Sequence, residues 1–126
     1  MSEISQEELK RYEELQLMAL DLAREGEVPI LLSMIEHGLS PNTCDHKGNT
    51  LLMLSCYNGN FECSKMLIEV GTDVNSKNDH GHSIIAGVAF KGYLEIVKLL
   101  VQNGAKIETH PMKNPIVLHR CLVEPR

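Results

Sequence analysis

The sequence predicts an all-α solenoid of stacked helical pairs, because one pattern is written twice within residues 45–108. The separation between Gly48 and Gly81 recurs between Gly59 and Gly92 and at every other matched position, and we call it the repeat offset. The same offset continues upstream into a third, looser copy. A fixed period of this length is typical of a solenoid, in which each unit buries its apolar face only against its neighbours.

The two clear copies read DHKGNTLLMLSCYNGNFECSKMLIEVGTDVNSK and NDHGHSIIAGVAFKGYLEIVKLLVQNGAKIE. They resemble ankyrin repeats, most closely in GYLEIVKLLVQNGA. The resemblance implies an ankyrin-repeat solenoid of helix–turn–helix units with β-hairpin finger loops. Two differences lie in the first helix of each copy, where Leu51 and Ile84 replace the family's proline and Met53 and Ala86 replace its histidine.

We interpret residues 1–126 as a single domain. It comprises an N-terminal capping unit at 5–44, repeats at 45–77 and 78–110, and a partial C-terminal unit at 111–126. The partial unit rests on the repeat offset, which aligns Ser83, Ile84 and Ile85 with residues 116–118. Because this unit is predicted to lack an outer helix, it leaves an open face at the C-terminal end of the stack.

The capping unit is predicted to begin with a long helix. Ser5 and Glu8 have the spacing of a capping box, in which each side chain accepts a hydrogen bond from the other residue's backbone N–H. Apolar residues then recur at the three- and four-residue steps of one helical face: Leu9, Tyr12, Leu15, Met18, Ala19, Leu22 and Ala23. Pro29 opens a second helix, since a first turn does not use its missing N–H, and Gly38 ends it.

Each central repeat is predicted to contain an inner and an outer helix. The inner helices are expected to pack through small and apolar side chains: Leu52, Leu54, Ser55 and Cys56 in one repeat, and Ile85, Gly87, Val88 and Ala89 in the next. The outer helices carry a second apolar set: Phe61, Cys63, Met66, Leu67 and Ile68, then Leu94, Ile96, Val97, Leu99 and Leu100. Together these side chains predict one continuous apolar strip across the stack.

Composition argues against several classes of partner. The formal net charge is −5, and the 12 Lys and Arg residues are spread along the chain rather than clustered, so we expect no nucleic-acid binding. No stretch approaches the roughly 20 apolar residues of a membrane span, and the N-terminus does not resemble a signal peptide. The four cysteines show no disulfide or metal spacing, which favours a reducing, cytoplasmic location.

Candidate chemistry is sparse. His80 and His82, with His46 and His110 on adjacent fingers, could hold zinc only if their imidazoles converged, and their spacing matches no established zinc motif. We therefore predict no metal and no cofactor. Cys56 and Cys63 are interpreted as core residues and Cys44 and Cys121 as exposed. No nucleophile-elbow, phosphate-loop or zinc-protease motif occurs, so we predict that the protein is not an enzyme.

The resemblance implies binding of another protein through the concave side, which is formed by finger tips and the exposed ends of inner helices. Matching the family's variable positions onto this chain predicts the partner-binding residues: His46, Lys47, Asn49, Tyr57, Asn58, Lys77, Asp79, His80, His82, Phe90 and Lys91.

Tyr57 and Phe90 are the most informative of these residues. They are separated by one repeat offset in a chain with only three Tyr, two Phe and no Trp, so stacking is expected to place them side by side at an exposed position. Aromatic anchors carry much of the energy of interfaces. The alternative is that both rings simply cover the turn between helices and close the stack. The neighbouring lysines, Lys47, Lys77 and Lys91, suggest that the partner presents an acidic surface.

The predicted function is protein–protein interaction, as an adaptor or as an inhibitor that occludes its target. The sequence is similar to small stand-alone ankyrin proteins of bacteria, which leaves open an immunity-type role in neutralising a toxin. Self-assembly through the open C-terminal face around Ile116, Val117 and Leu118 is a further alternative. A metal-dependent enzyme is the alternative that the residues support least.

Overall fold

A computed structural model describes residues 5–107, which form three consecutive helical pairs. The six helices of this range are α1 (Gln6–Glu25), α2 (Val28–Glu36), α3 (Leu51–Tyr57), α4 (Phe61–Glu69), α5 (Ile84–Lys91) and α6 (Leu94–Gln102). An inner row consists of α1, α3 and α5, and an outer row consists of α2, α4 and α6, with neighbouring members of each row in contact. The predicted all-α solenoid is confirmed.

The first helix begins as the sequence predicts. The Ser5 hydroxyl accepts from the Glu8 backbone N–H at 3.1 Å, and the Glu8 carboxylate accepts from the Ser5 N–H at 3.1 Å. These two bonds satisfy backbone donors that a helix start leaves without partners. The helix ends at Gly26, whose left-handed backbone (φ 77°) is one that glycine adopts without steric cost.

The apolar face of α1 is buried only near its C-terminal end. Ala19, Leu20 and Ala23 are buried against the core. The earlier members of the predicted face, and one residue beside it, are exposed: Leu9, Tyr12, Leu15, Leu17 and Met18. With 20 residues, α1 is much longer than α2 and α3, which have nine and seven. Its first turns therefore extend past the helices that could cover them.

Each central repeat starts its inner helix with a hydroxyl cap. Thr50 Oγ1 accepts from the Met53 N–H at 3.1 Å, and Ser83 Oγ accepts from the Ala86 N–H at 3.3 Å. Just before each inner helix, a single antiparallel bridge closes a hairpin, joining Cys44 to Thr50 and Lys77 to Ser83. The fingers are thus short hairpins that lead directly into capped helices.

The core runs continuously through all three pairs. In α3 the six residues 51–56 are all buried. Leu51 and Met53, which replace the family's proline and histidine, are both 0% exposed, so the apolar replacements are part of the packing. Most of the predicted strip across the outer helices is buried, at Cys63, Met66, Leu67, Ile96, Val97, Leu99 and Leu100, whereas Phe61, Ile68 and Leu94 are partly buried.

Polar contacts between units supplement this core. Asn60, which the sequence analysis did not single out, donates from its side-chain amide to the carbonyls of Ala23 (3.2 Å) and Arg24 (2.8 Å) at the end of α1. The Ala23 carbonyl also accepts from the Gly26 backbone N–H at 3.3 Å, so the amide is an additional donor to the last turn of α1. Inside the second pair, the Ser55 and Ser64 hydroxyls share a hydrogen bond of 2.9 Å. A helix end and a buried hydroxyl pair are therefore both satisfied.

Candidate protein-binding surface

The two fingers are built around one acceptor atom each. Asp45 Oδ1 accepts from the backbone N–H groups of Lys47 and Asn49, both at 2.9 Å. Asn78 Oδ1, at the equivalent position of the next repeat, accepts from those of His80 and His82, both at 3.0 Å. Side chains of Asp and Asn commonly organise turns in this way. The two tips therefore share one backbone conformation, as the alignment of residue 45 with residue 78 predicts.

The fingers are also joined to each other. The Asp79 backbone N–H donates to the Lys47 carbonyl at 3.0 Å, and the Asn78 amide donates to Asn49 Oδ1 at 3.0 Å. Their approach is close enough that a Cβ on Gly48, at φ +79°, would lie 2.9 Å from the Asp79 backbone nitrogen. Glycine is required here by both the turn and the neighbour. The finger tips consequently form a row with a defined spacing.

Charge at the base of the first finger reinforces this geometry. Partial burial alone would raise the pKa of the Asp45 carboxyl, but the hydrogen bonds from Asn49 and Lys47, together with His46, outweigh it and lower the pKa below its usual 3.8. Arg24, at the end of α1, places its guanidinium 3.9 Å from the same carboxylate. Asp45 therefore organises the turn of the first finger through its hydrogen bonds, and Arg24, which also pairs with Asp21, adds a longer contact to the capping unit.

Most predicted partner-binding residues are exposed where the sequence places them. The exposed members are His46, Lys47, Asn58, Lys77, Asp79, His80, His82, Phe90 and Lys91, whereas Asn49 and Tyr57 are partly buried. The rings of His80 and His82 stack with their centroids 5.9 Å apart. Two of the amides have intramolecular partners, since Asn49 bonds to Asn78 and Asn58 donates to the Leu54 carbonyl at 2.7 Å. The finger tips supply the greater part of the exposed set.

The expectation of two exposed aromatics side by side is wrong for Tyr57. Its ring packs against Gly87 of the next inner helix, where an added Cβ would come within 2.9 Å of the Tyr57 Cζ. Its hydroxyl donates to the Ser83 carbonyl at 3.4 Å. Burial is the main cause that raises the pKa of Tyr57 to about 12, with Cys56 adding to it. Tyr57 closes a junction between repeats, whereas Phe90 is 66% exposed.

The cysteine expectations hold for the described part of the chain. Cys56 and Cys63 are 0% and 1% exposed, and Cys44 is exposed. Burial raises the pKa of Cys56 to about 12 despite a hydrogen bond to Ser64, and burial also raises the pKa of Cys63. The thiolate is the reactive form. The two buried thiols are therefore inert packing groups at neutral pH.

The described residues show no clustering suited to a metal ion. Within residues 5–107, no group of three or more His, Cys, Asp or Glu side chains converges on a common point. His110, which the zinc alternative also required, lies outside the described residues. None of the helices in that range combines the length and hydropathy needed to cross a bilayer.

Comparison with known proteins agrees with this architecture. A family model for ankyrin repeats matches residues 19–110 as three copies. One relative is an ankyrin repeat protein of Pseudomonas aeruginosa, 48% identical over 40 residues that represent 32% of this chain and 23% of the relative. The match thus spans less than a quarter of that relative's length. Ankyrin repeats are generally protein–protein interaction modules rather than enzymes. Since the family model matches most of the sequence, the chain belongs to the ankyrin repeat family.

Proposed function

We propose that this protein binds a partner protein through the finger-tip row, which we define as His46, Lys47, Asp79, His80 and His82. The observation that carries the proposal is the set of hydrogen bonds that hold this row. Each tip is held by one Asx acceptor, and the two tips are joined by the bond between the Asp79 N–H and the Lys47 carbonyl. A surface ordered before binding loses little conformational entropy on association, so these side chains are presented at low cost.

The chemistry of the row favours a partner segment that carries carboxylates. Lys47 is exposed on the first finger, Lys77 precedes the second, and Lys91 ends α5. Among the row residues only Asp79 is acidic, although the whole chain has a net charge of −5. These three lysines are the basis of the proposed preference for an acidic partner segment. Such complementarity accelerates encounter and selects partners more than it adds affinity.

The proposed role is that of an adaptor or inhibitor without catalytic activity, working in the cytoplasm. Its support is the general role of ankyrin repeats as interaction modules rather than enzymes, together with the free thiols at Cys44, Cys56 and Cys63, which fit a reducing compartment. Neutralisation of a toxin is a narrower form of the same role, in which the finger-tip row occludes the target. Asn49, Asn58 and Phe90 remain predicted contacts that flank the row, whereas Tyr57 is assigned to the junction between repeats.

The test is a comparison of charge-reversal variants in a pull-down from the source organism. The variant Lys47→Glu, Lys77→Glu, Lys91→Glu is expected to lose a specific partner that the native chain retains. The control, Lys65→Glu, Lys98→Glu, introduces the same kind of charge change at exposed positions of the outer row and is expected to keep that partner. Loss in both variants, or in neither, would contradict a role for the finger-tip side.

A weak self-association through the C-terminal face is the second prediction retained from the sequence. Its predicted residues, Ile116, Val117 and Leu118, lie outside the described residues. Light scattering over a dilution series measures it directly, because self-association makes the mean mass rise with protein concentration.

A further inference from the structure

One side of α1 carries apolar side chains that the rest of residues 5–107 leave largely in water. Leu15 is 41% exposed and Met18 is 51% exposed, and Leu22, at the edge of the core, is partly buried. At about 100° per residue, these three side chains lie about a third of a turn around the helix from the buried side chains of α1. Contiguous apolar surface of this kind marks a docking site when its occupant can be identified.

Opposite charges lie at the two ends of this apolar group. Arg11 is one helical turn before Leu15, Glu25 is one turn after Leu22, and both charged residues are exposed. Residues 11, 15, 18, 22 and 25 follow one another at alternating steps of four and three, so they share one side of the helix. We call them the α1 stripe: Arg11, Leu15, Met18, Leu22 and Glu25. Within residues 5–107, neither Arg11 nor Glu25 has an ion-pair partner.

The α1 stripe is complementary to a second copy of itself that runs in the opposite direction. When two α1 helices cross antiparallel at Met18, Arg11 of each copy lies opposite Glu25 of the other, because both residues are seven positions from Met18. Leu15 of one copy then lies near Leu22 of the other, so the centre of the crossing is apolar. A parallel pairing in register would instead place like charges opposite each other. Charge and apolar pattern therefore select the antiparallel arrangement, in which both copies use the same surface about a two-fold axis.

We propose that the α1 stripe is the interface of a homodimer, in which two copies pair their first helices antiparallel about a two-fold axis at Met18. The stripe is about 21 Å long at the rise of an α-helix, with an ion pair at each end to fix the register and apolar contact between them. Glu14 and Asp21 flank the stripe, and pairing of Asp21 with Arg24 limits repulsion between the copies there. A two-fold contact closes on itself and therefore stops at two copies. The inference does not depend on the proposed function, because no residue of the stripe belongs to the finger-tip row.

A cysteine at residue 18 tests the crossing point. In full-length protein carrying Cys44→Ser and Cys121→Ser, the two remaining cysteines are buried, so Met18→Cys supplies the reactive thiol. The thiol oxidant diamide is expected to link this variant into covalent dimers, because the two-fold axis brings residue 18 of both copies together. Leu17→Cys is the matched control, since Leu17 is 64% exposed on another side of α1, and it should cross-link at least about tenfold more slowly. Equal rates for the two variants would overturn the proposal.

Exchange of the end charges tests the register. Arg11→Glu and Glu25→Arg each place like charges across the interface at both ends, and each is expected to raise the dissociation constant of the dimer about tenfold in sedimentation equilibrium. The double variant Arg11→Glu, Glu25→Arg restores opposite charges with the polarity reversed, and its dissociation constant should return to within about threefold of the native value. Circular dichroism shows that each variant remains folded. A double variant that dimerises no better than the single variants would exclude this register.

Substitution of the central apolar residue distinguishes the remaining occupants and surfaces. Met18→Asp is expected to convert the dimer to a monomer, whereas Leu17→Asp, the same change one residue away, should leave it dimeric. A native chain that keeps the mass of a monomer at every concentration would overturn the proposal. A dimer that persists in Met18→Asp would also overturn it, because the copies would then meet through another surface. So would a different protein that binds a monomeric native chain and is lost in Met18→Asp, since the stripe would then have another occupant.

Discussion

The effect of Gly87→Ala on the free energy of unfolding is predicted to change sign with the residue at position 57. Gly87 lies inside α5, where alanine is favoured over glycine by about 1 kcal/mol. The added Cβ, however, would come within 2.9 Å of the Tyr57 Cζ, a distance that forces the ring to move. Overpacking of this kind costs about 1–3 kcal/mol. In the native background we therefore expect Gly87→Ala to be destabilising by about 1 kcal/mol, the difference between these two effects.

In a Tyr57→Ala background the obstructing ring is absent, so only the helix propensity remains. Gly87→Ala is then expected to be stabilising by about 0.5–1 kcal/mol. Urea denaturation of the four proteins, followed by circular dichroism, measures the coupling, which should be about 2 kcal/mol and thus within the range found for residues in contact. An equal effect of Gly87→Ala in both backgrounds would show that the ring does not occupy the site above residue 87.

Three other measurements address the fingers and the junctions. Because the pKa of Asp45 is lowered in the folded state, the contribution of its carboxylate to the free energy of unfolding is complete above its unfolded pKa and is lost as the pH falls below about 4. The variant Asp45→Asn, which copies residue 78, should therefore reduce the fall in the urea midpoint between pH 7 and pH 3. An unchanged fall would exclude this carboxylate as the cause. Asn60→Ala should lower stability by about 1 kcal/mol, because the Arg24 carbonyl loses its amide donor and the Ala23 carbonyl keeps only the Gly26 N–H; a change below about 0.3 kcal/mol would mean that water replaces the amide fully. Gly48→Ala should be destabilising by about 1–3 kcal/mol, since it combines an unfavourable positive φ with a clash against the Asp79 backbone; a neutral thermal melt would contradict the close approach of the fingers.

Periodicity was sufficient to predict the fold because the units of a solenoid interact mainly with adjacent units. The repeat offset located the three helical pairs, and the identities of Ser5 and Glu8 located the first helix start. The alignment of Asp45 with Asn78 also anticipated that the fingers share one turn. Burial of Cys56 and Cys63 followed from ordinary residue preference. These features depend on local chemistry and on a repeated pattern, both of which are readable without coordinates.

The candidate surface was less predictable, because exposure at a repeated position depends on what the next unit presents. Tyr57 and Phe90 occupy equivalent positions in sequence, yet one is partly buried and the other is 66% exposed. The difference arises because Tyr57 meets Gly87, whose missing side chain makes room for a ring. Helical periodicity likewise marked an apolar face along all of α1, but it could not show how far the shorter neighbouring helices extend.

By itself, the sequence determined the class of fold, the family, the length of the repeat and the residues that organise each finger turn, because a period and a turn are properties of neighbouring residues. Only the tertiary structure decided which side chains remain accessible for binding. The side chains of His46, Lys47, Asp79, His80 and His82 are exposed, and a backbone hydrogen bond between the two fingers fixes their spacing. Tyr57 is partly buried because its ring packs against Gly87 of the next inner helix, where no side chain obstructs it. Accessibility is set by contacts between units, and such contacts depend on three-dimensional packing rather than on position in the repeat.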